Sequence, residues 1–194
     1  METDDVASGE PFSPEVLGFV QLAMDQAKLA LDSFEVPVGC VIVEEGHLIV
    51  AGRNRTNETQ NATRHAEMEA LDVLFEKWQR TRFSSAEVAE RFSACSLYVT
   101  CEPYIMCAAA LSIIGIKMAV QMINLEAMVQ YCRCIQVALS YPLVMETKVF
   151  KCCGGIMASE AVSLLSDFYE QGNYNAPKTH RPRVTQASHL ICMH

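Results

Sequence analysis

The chain is predicted to be an α/β protein with helices layered on a sheet, on three observations. Two β-branched runs, Val38-Gly39-Cys40-Val41-Ile42-Val43 and Leu48-Ile49-Val50-Ala51-Gly52, flank Glu44-Glu45-Gly46-His47 and read as a hairpin. Leu71, Leu74, Phe75 and Trp78 then recur at i, i+3, i+4 and i+7, the stripe of a half-buried helix. A further strand-like run, Ser96-Leu97-Tyr98-Val99-Thr100, leads into a second helical run, Cys107 to Ile114. Strand and helix in alternation argue for helices packed on a sheet.

Taken in order, residues 1–13 are polar and acidic, with Glu2, Asp4 and Asp5, and are expected to be disordered. Val16, Phe19, Val20, Met24, Ala27, Leu29 and Ala30 recur near helical spacing and predict a first helix. The hairpin follows, then a polar loop from Asn54 to Asn61, and from Thr63 a helix with His65 and Glu67 in its first turn. Residues 81–94 read as a polar, charged connection. Glu102-Pro103 stops the next strand, and Pro103 suits the first turn of a new helix, where its missing N–H would be unpaired anyway. One main domain over 14–170 and a basic, flexible tail over 171–194 complete the organisation.

Composition narrows the function classes. An apolar fraction of 51% with 20% charged residues is that of a soluble globular protein, and no apolar run reaches the roughly 18 residues of a membrane span. The acidic N-terminus lacks the basic and apolar regions of a secretory signal, so cytosol or nucleus is expected. Nine cysteines in such a compartment are thiols or metal ligands rather than a disulfide framework, and the Asn-x-Thr triplets at Asn54, Asn57 and Asn61 carry no weight there. A net charge of −8 opposes extensive phosphate binding, so RNA contact must be local or supplied by a partner. The tail has Lys178, His180, Arg181 and Arg183 with no acid after Gln171, which makes Lys178, Arg181 and Arg183 candidate RNA-binding residues.

The chemistry is expected where two helices begin. His65-Ala66-Glu67 opens one, and Thr100-Cys101-Glu102-Pro103-Tyr104-Ile105-Met106-Cys107 ends a strand and opens the other. Two helix N-termini facing one point favour thiolate and hydroxide, and imidazole nitrogen with cysteine sulfur are zinc donors.

Glu35-Val36-Pro37-Val38-Gly39, Gly52-Arg53-Asn54-Arg55, Asn61 to Met68 and Met106 to Leu111 resemble the catalytic subunit of the eukaryotic tRNA wobble adenosine deaminases, within the cytidine and deoxycytidylate deaminase superfamily. The resemblance covers about residues 15–117 and 150–178, and the His-x-Glu and Pro-Cys-x-x-Cys signature of zinc nucleobase deaminases underlies it. It implies a three-layer α-β-α fold with a mixed central sheet, a Zn²⁺ cofactor, and hydrolysis of adenosine to inosine at the tRNA wobble position. The implied partner, besides tRNA, is a catalytically silent deaminase-like subunit in a heterodimer. His65 and Cys107 are then zinc ligands, Glu67 the proton shuttle and Asn54 a hydrogen-bond partner of the adenine.

The chain departs from this pattern twice. Tyr104 stands at a zinc-ligand cysteine position, with Cys101 as a possible substitute ligand. A catalytically impaired paralogue or isoform, acting as a partner or RNA-binding subunit, is therefore the alternative reading. After Lys117 the resemblance also lapses: reading back-translated codons one nucleotide earlier permits a family-like Gly-Cys-x-Asn-Asp-Lys-Phe-Gly-Gly-x-Gly-Ser. Residues 118 to about 145 are accordingly expected to be translated out of frame. Without Gly or Pro before Pro142, that stretch looks helical, so the sheet is expected to be shortened or irregular over 118–149, keeping about three good strands.

Overall fold

A computed structural model describes residues 12–123 and 151–171. Helix α1 (Pro14–Asp32) begins where Ser13 caps it, its side chain accepting from the Val16 N–H at 3.3 Å, with Pro14 at the position where no N–H is needed. Strands β1 (Gly39–Glu44) and β2 (His47–Arg53) form the expected hairpin, and Glu45 and Gly46 both take positive φ, the signature of a tight two-residue hairpin turn. The polar loop contains a single helical turn, α2 (Thr56–Thr59), and α3 (Ala66–Arg80) follows. After α4 (Ser85–Ala94), strand β3 (Cys95–Cys101) leads into α5 (Ile105–Ile114). Strands β4 (Met118–Ile123) and β5 (Lys151–Cys153) and helix α6 (Ala158–Gln171) complete the described elements.

Residues 81–94 are therefore not a mere connection. Helix α4 is opened by a capping box in which Ser84 and Glu87 satisfy each other's backbone N–H groups. It lays one large apolar side chain, Phe92, into the core, where its ring lies 4.7 Å from Trp78 and 5.2 Å from Phe75. Arg91 on the same helix bonds Glu44 of β1, Nε to Oε1 at 2.7 Å, and stacks over Trp78 and Phe83.

The sheet has five strands in the order β2-β1-β3-β4-β5, antiparallel through β3 and parallel beyond it. The expectation of about three strands is therefore corrected. Met118–Ile123 pairs with β3 in regular parallel register, Ser96 with Met118 through Cys101 with Ile123. The reason is physical: this stretch enters beside β3 after a helix long enough for a parallel crossover. It is apolar enough to be buried on both faces, as an inner parallel strand must be. The remainder of the expected irregular segment, the N-terminal acidic stretch and the basic tail lie outside the described residues.

Alternation along the strands divides the core into two layers. Cys40, Ile42, Leu97, Val99 and Ala119 face α3, α4 and α5, while Val41, Val43, Tyr98, Val120 and Met122 face α1 and α6. This is the expected three-layer arrangement with a mixed sheet. Two glycines set how closely the layers approach. A Cβ on Gly39 would sit 2.3 Å from the Ala27 nitrogen in α1, and one on Gly52 would sit 2.3 Å from the Ala66 carbonyl at the start of α3. Gly52 thus seats the first turn of α3, and with it His65, directly on the sheet.

Candidate metal and catalytic centre

Two chain segments converge at one end of the sheet. His65 is the N-cap of α3 in extended conformation, one residue earlier than the predicted first turn, and Glu67 is the second residue of the helix. Across from it, Cys107 is the third residue of α5, whose N-cap is Tyr104; Pro103 therefore precedes the cap instead of lying inside the helix. The Sγ of Cys107 lies 3.5 Å from Nδ1 of His65, and the ligand atoms of His65, Glu67 and Cys107 all fall within 4.8 Å of one another.

That 3.5 Å is informative. With Zn–N of about 2.05 Å and Zn–S of about 2.3 Å at the tetrahedral angle, the two donor atoms of a zinc site stand about 3.5 Å apart. His65 and Cys107 are thus spaced as one edge of a zinc tetrahedron, and the donor set fits the ion at these two positions. The third family position does not supply a thiolate. Tyr104 is 63% exposed and its ring meets His65 edge-on at 5.3 Å between rings, and partial burial raises its phenol above the ordinary range, so it is a neutral hydroxyl at pH 7. Cys101, at the end of β3, is buried and lies outside the three-residue cluster. Burial, reinforced by the Glu67 charge, pushes its thiol up to about 11.

The electrostatics suit the roles of the cluster. Glu67 is buried, and burial raises its carboxyl above the usual carboxylate range, against an opposing hydrogen bond to Cys107. A buried carboxyl beside the His65 and Cys107 donor atoms is placed to accept and return a proton. Burial lowers His65, which keeps the imidazole neutral and its Nδ1 available as a donor. Burial and the Glu67 carboxylate raise the Cys107 thiol well above its ordinary range, and a bound cation reverses that preference.

Asn54, immediately after β2, is 5% exposed, and its backbone N–H bonds the Val38 carbonyl at 2.9 Å. The next residue, Arg55, donates its N–H to the carbonyl of Arg64, the neighbour of His65, so the segment after β2 that carries Asn54 is tied to the segment that carries His65. Arg55 also binds Glu58 and Glu69 through its guanidinium, fastening the loop to α3. Sequence reasoning gives Glu35 no role of its own, yet it is fully buried and accepts hydrogen bonds from this loop; its burial has no signature in the local pattern. The tail residues Lys178, Arg181 and Arg183 lie outside the described residues.

A His-x-Glu helix start facing a cysteine-bearing helix start across a mixed sheet defines a zinc hydrolase centre of the nucleobase-deaminase class. The family model of the cytidine and deoxycytidylate deaminase zinc-binding region matches residues 15–123. The tRNA-specific adenosine deaminase 2 of Danio rerio is 43% identical over 180 residues, covering 92% of this chain and 80% of that protein. Its Xenopus laevis counterpart is 40% identical over 167 residues, covering 85% and 92%. A solved structure from studies of A-to-I editing by tRNA:A34 deaminases at the wobble position of transfer RNA is 28% identical, with a TM-score of 0.59 over 77% of this chain and 99% of that one. The chain belongs to the cytidine and deoxycytidylate deaminase family and, within it, to the eukaryotic tRNA-specific adenosine deaminase 2 group. No helix among the described residues is long and apolar enough to cross a membrane.

Proposed function

We propose that the chain catalyses hydrolytic deamination of adenosine to inosine at the wobble position of tRNA, as the catalytic member of a heterodimer with a catalytically silent deaminase-like subunit. The observation that carries this is the 3.5 Å pair of His65 and Cys107 with the buried Glu67 carboxyl beside it. His65 and Cys107 would hold zinc, whose contribution is to acidify a water toward neutral pH. Glu67 takes the proton of the attacking water and returns it to the base as the C6–N bond breaks and ammonia leaves. Asn54 orients the adenine through its side-chain amide. The net charge of −8 is the reason for assigning part of the tRNA grip to the partner and part to Lys178, Arg181 and Arg183. The expected location is cytosol or nucleus.

The test is to incubate the chain and its partner with an anticodon stem-loop carrying adenosine at the wobble position, and to read inosine by nucleoside mass spectrometry. Glu67→Gln should abolish the inosine signal. A signal from free cytidine but not from RNA would overturn the substrate assignment. Tyr104 favours a second reading, an impaired paralogue serving as an RNA-binding or partner subunit; in that case only Tyr104→Cys protein would yield inosine.

A further inference from the structure

We propose that Glu35 and Thr56 are positioning residues that fix the orientation of the Asn54 side-chain amide, and so decide which hydrogen-bonding group the site offers the base. The Glu35 side chain lies at the end of the turn after α1 and is fully buried. Its Oε1 accepts from the Glu58 N–H at 2.6 Å, and its Oε2 accepts from the Asn57 N–H at 3.0 Å and from the Thr56 hydroxyl at 3.2 Å. Those backbone donors are left over at the start of α2, which has only four residues and no side-chain cap of its own. The same turn is tied a second time, by Asn57 Nδ2 donating to the Phe34 carbonyl at 2.8 Å.

Donor and acceptor roles then propagate in one direction. A carboxylate that already accepts two backbone N–H groups also accepts the Thr56 hydroxyl hydrogen bond, so the Thr56 oxygen has only lone pairs left to offer Asn54. Asn54 reaches that oxygen at 3.2 Å and must present its NH₂ to it. The amide is thereby prevented from flipping, and Oδ1 remains as an acceptor for an N–H donor on the bound base. A flipped Asn54 would bring two acceptors together at Thr56 and offer the base a donor instead. This inference rests on the assignment of Asn54 as a base-contacting residue.

Thr56→Val removes the hydroxyl at nearly constant volume and leaves both backbone bonds to Glu35 in place. In ¹⁵N-labelled protein, the Asn54 side-chain amide signals, assigned by their loss in Asn54→Ala, should shift in Thr56→Val and return in Thr56→Ser. On the anticodon stem-loop, Thr56→Val should lower kcat/KM by about 5- to 10-fold, the scale of one neutral hydrogen bond. Thr56→Ser should restore most of it, and Thr56→Val should cost nothing further in an Asn54→Ala background. Asn54 amide signals unmoved by Thr56→Val would overturn the proposal, as would losses that multiply in the double variant. If the unmodified complex forms no inosine, the proposed function fails while the amide spectrum still decides the relay.

Discussion

Replacing Tyr104 by cysteine should convert a weak zinc site into a tight one. His65 and Cys107 already occupy one edge of the tetrahedron at 3.5 Å, whereas Tyr104 is 63% exposed, so the backbone at the α5 N-cap is placed for a short ligand and carries a long one. Changes in groups that merely support metal ligands cost about 10- to 100-fold in affinity, so a missing ligand costs more than about 100-fold. Folding stability amplifies the difference. At a zinc concentration of about 100 times the variant's Kd, binding stabilises Tyr104→Cys by about 2.7 kcal/mol. A chain binding about 100-fold more weakly gains only about 0.4 kcal/mol at that concentration. The assay is zinc per chain by elemental analysis after dialysis against graded chelators, with Tm recorded across a zinc titration. Unmodified protein should retain well under one zinc per chain, and the variant should approach one. One tightly held zinc in the unmodified chain would refute this reasoning and make Cys101 the leading third ligand.

Phe92→Ala should cost about 3–5 kcal/mol in urea unfolding, because a fully buried ring packed on Trp78 and Phe75 leaves a cavity. Gly52→Ala should both destabilise the fold and lower zinc content, since the added methyl meets the Ala66 carbonyl and pushes α3 away from the sheet; normal zinc content would argue against Gly52 seating His65. The Arg91 hydrogen bond holds the Glu44 carboxyl below its usual range, so this pair stabilises the fold above about pH 4.5 and the contribution fades as pH falls through the lowered folded value. Arg91→Met should therefore cost about 1 kcal/mol at pH 7 and flatten the decline of Tm below pH 4.5, beyond any loss from its stacking on Trp78. Neutralising Lys178, Arg181 and Arg183 together should weaken tRNA binding and reduce its salt slope by about one for each phosphate the tail no longer neutralises, and an unchanged slope would remove the tail from the interface.

Some elements are legible in the sequence and others are hidden for identifiable reasons. The hairpin, α1, α3, β3 and α5 carry strong periodicity or β-branched runs, and each appears within a residue or two of its expected bounds except the start of α3, which falls at Ala66, three residues after the expected Thr63. Helix α4 is hidden because it fully buries only Phe92 and otherwise mixes Glu87, Glu90 and Arg91 with small residues, leaving no apolar stripe, although Ser84 and Glu87 spell a capping box three residues apart. Strand β4 is hidden because departure from a family pattern suggests loss of structure, whereas pairing with β3 asks only for an apolar run of the right length. At the site, His65, Glu67 and Cys107 are legible as two facing helix starts, and the structure brings these three together, whereas Asn54 rests on the resemblance alone. Glu35 is not, because a glutamate with 0% exposure looks like any other in a sequence until the donors around it are known.

The separation of 42 residues between His65 and Cys107 has a consequence for how the chain comes apart. A bond bridging those two side chains closes a large loop through α3, α4 and β3, and by chain-entropy reasoning such a closure restricts the unfolded ensemble by about 4 kcal/mol. Unlike a disulfide, such a metal crosslink would be removed by a chelator and restored by adding metal, so the Tyr104→Cys protein could be switched between a tied and an untied chain with no further change of sequence. Helix α4, which lies wholly inside that loop, is then the element whose amide-exchange protection should respond most to metal, while α1, outside it, should respond least.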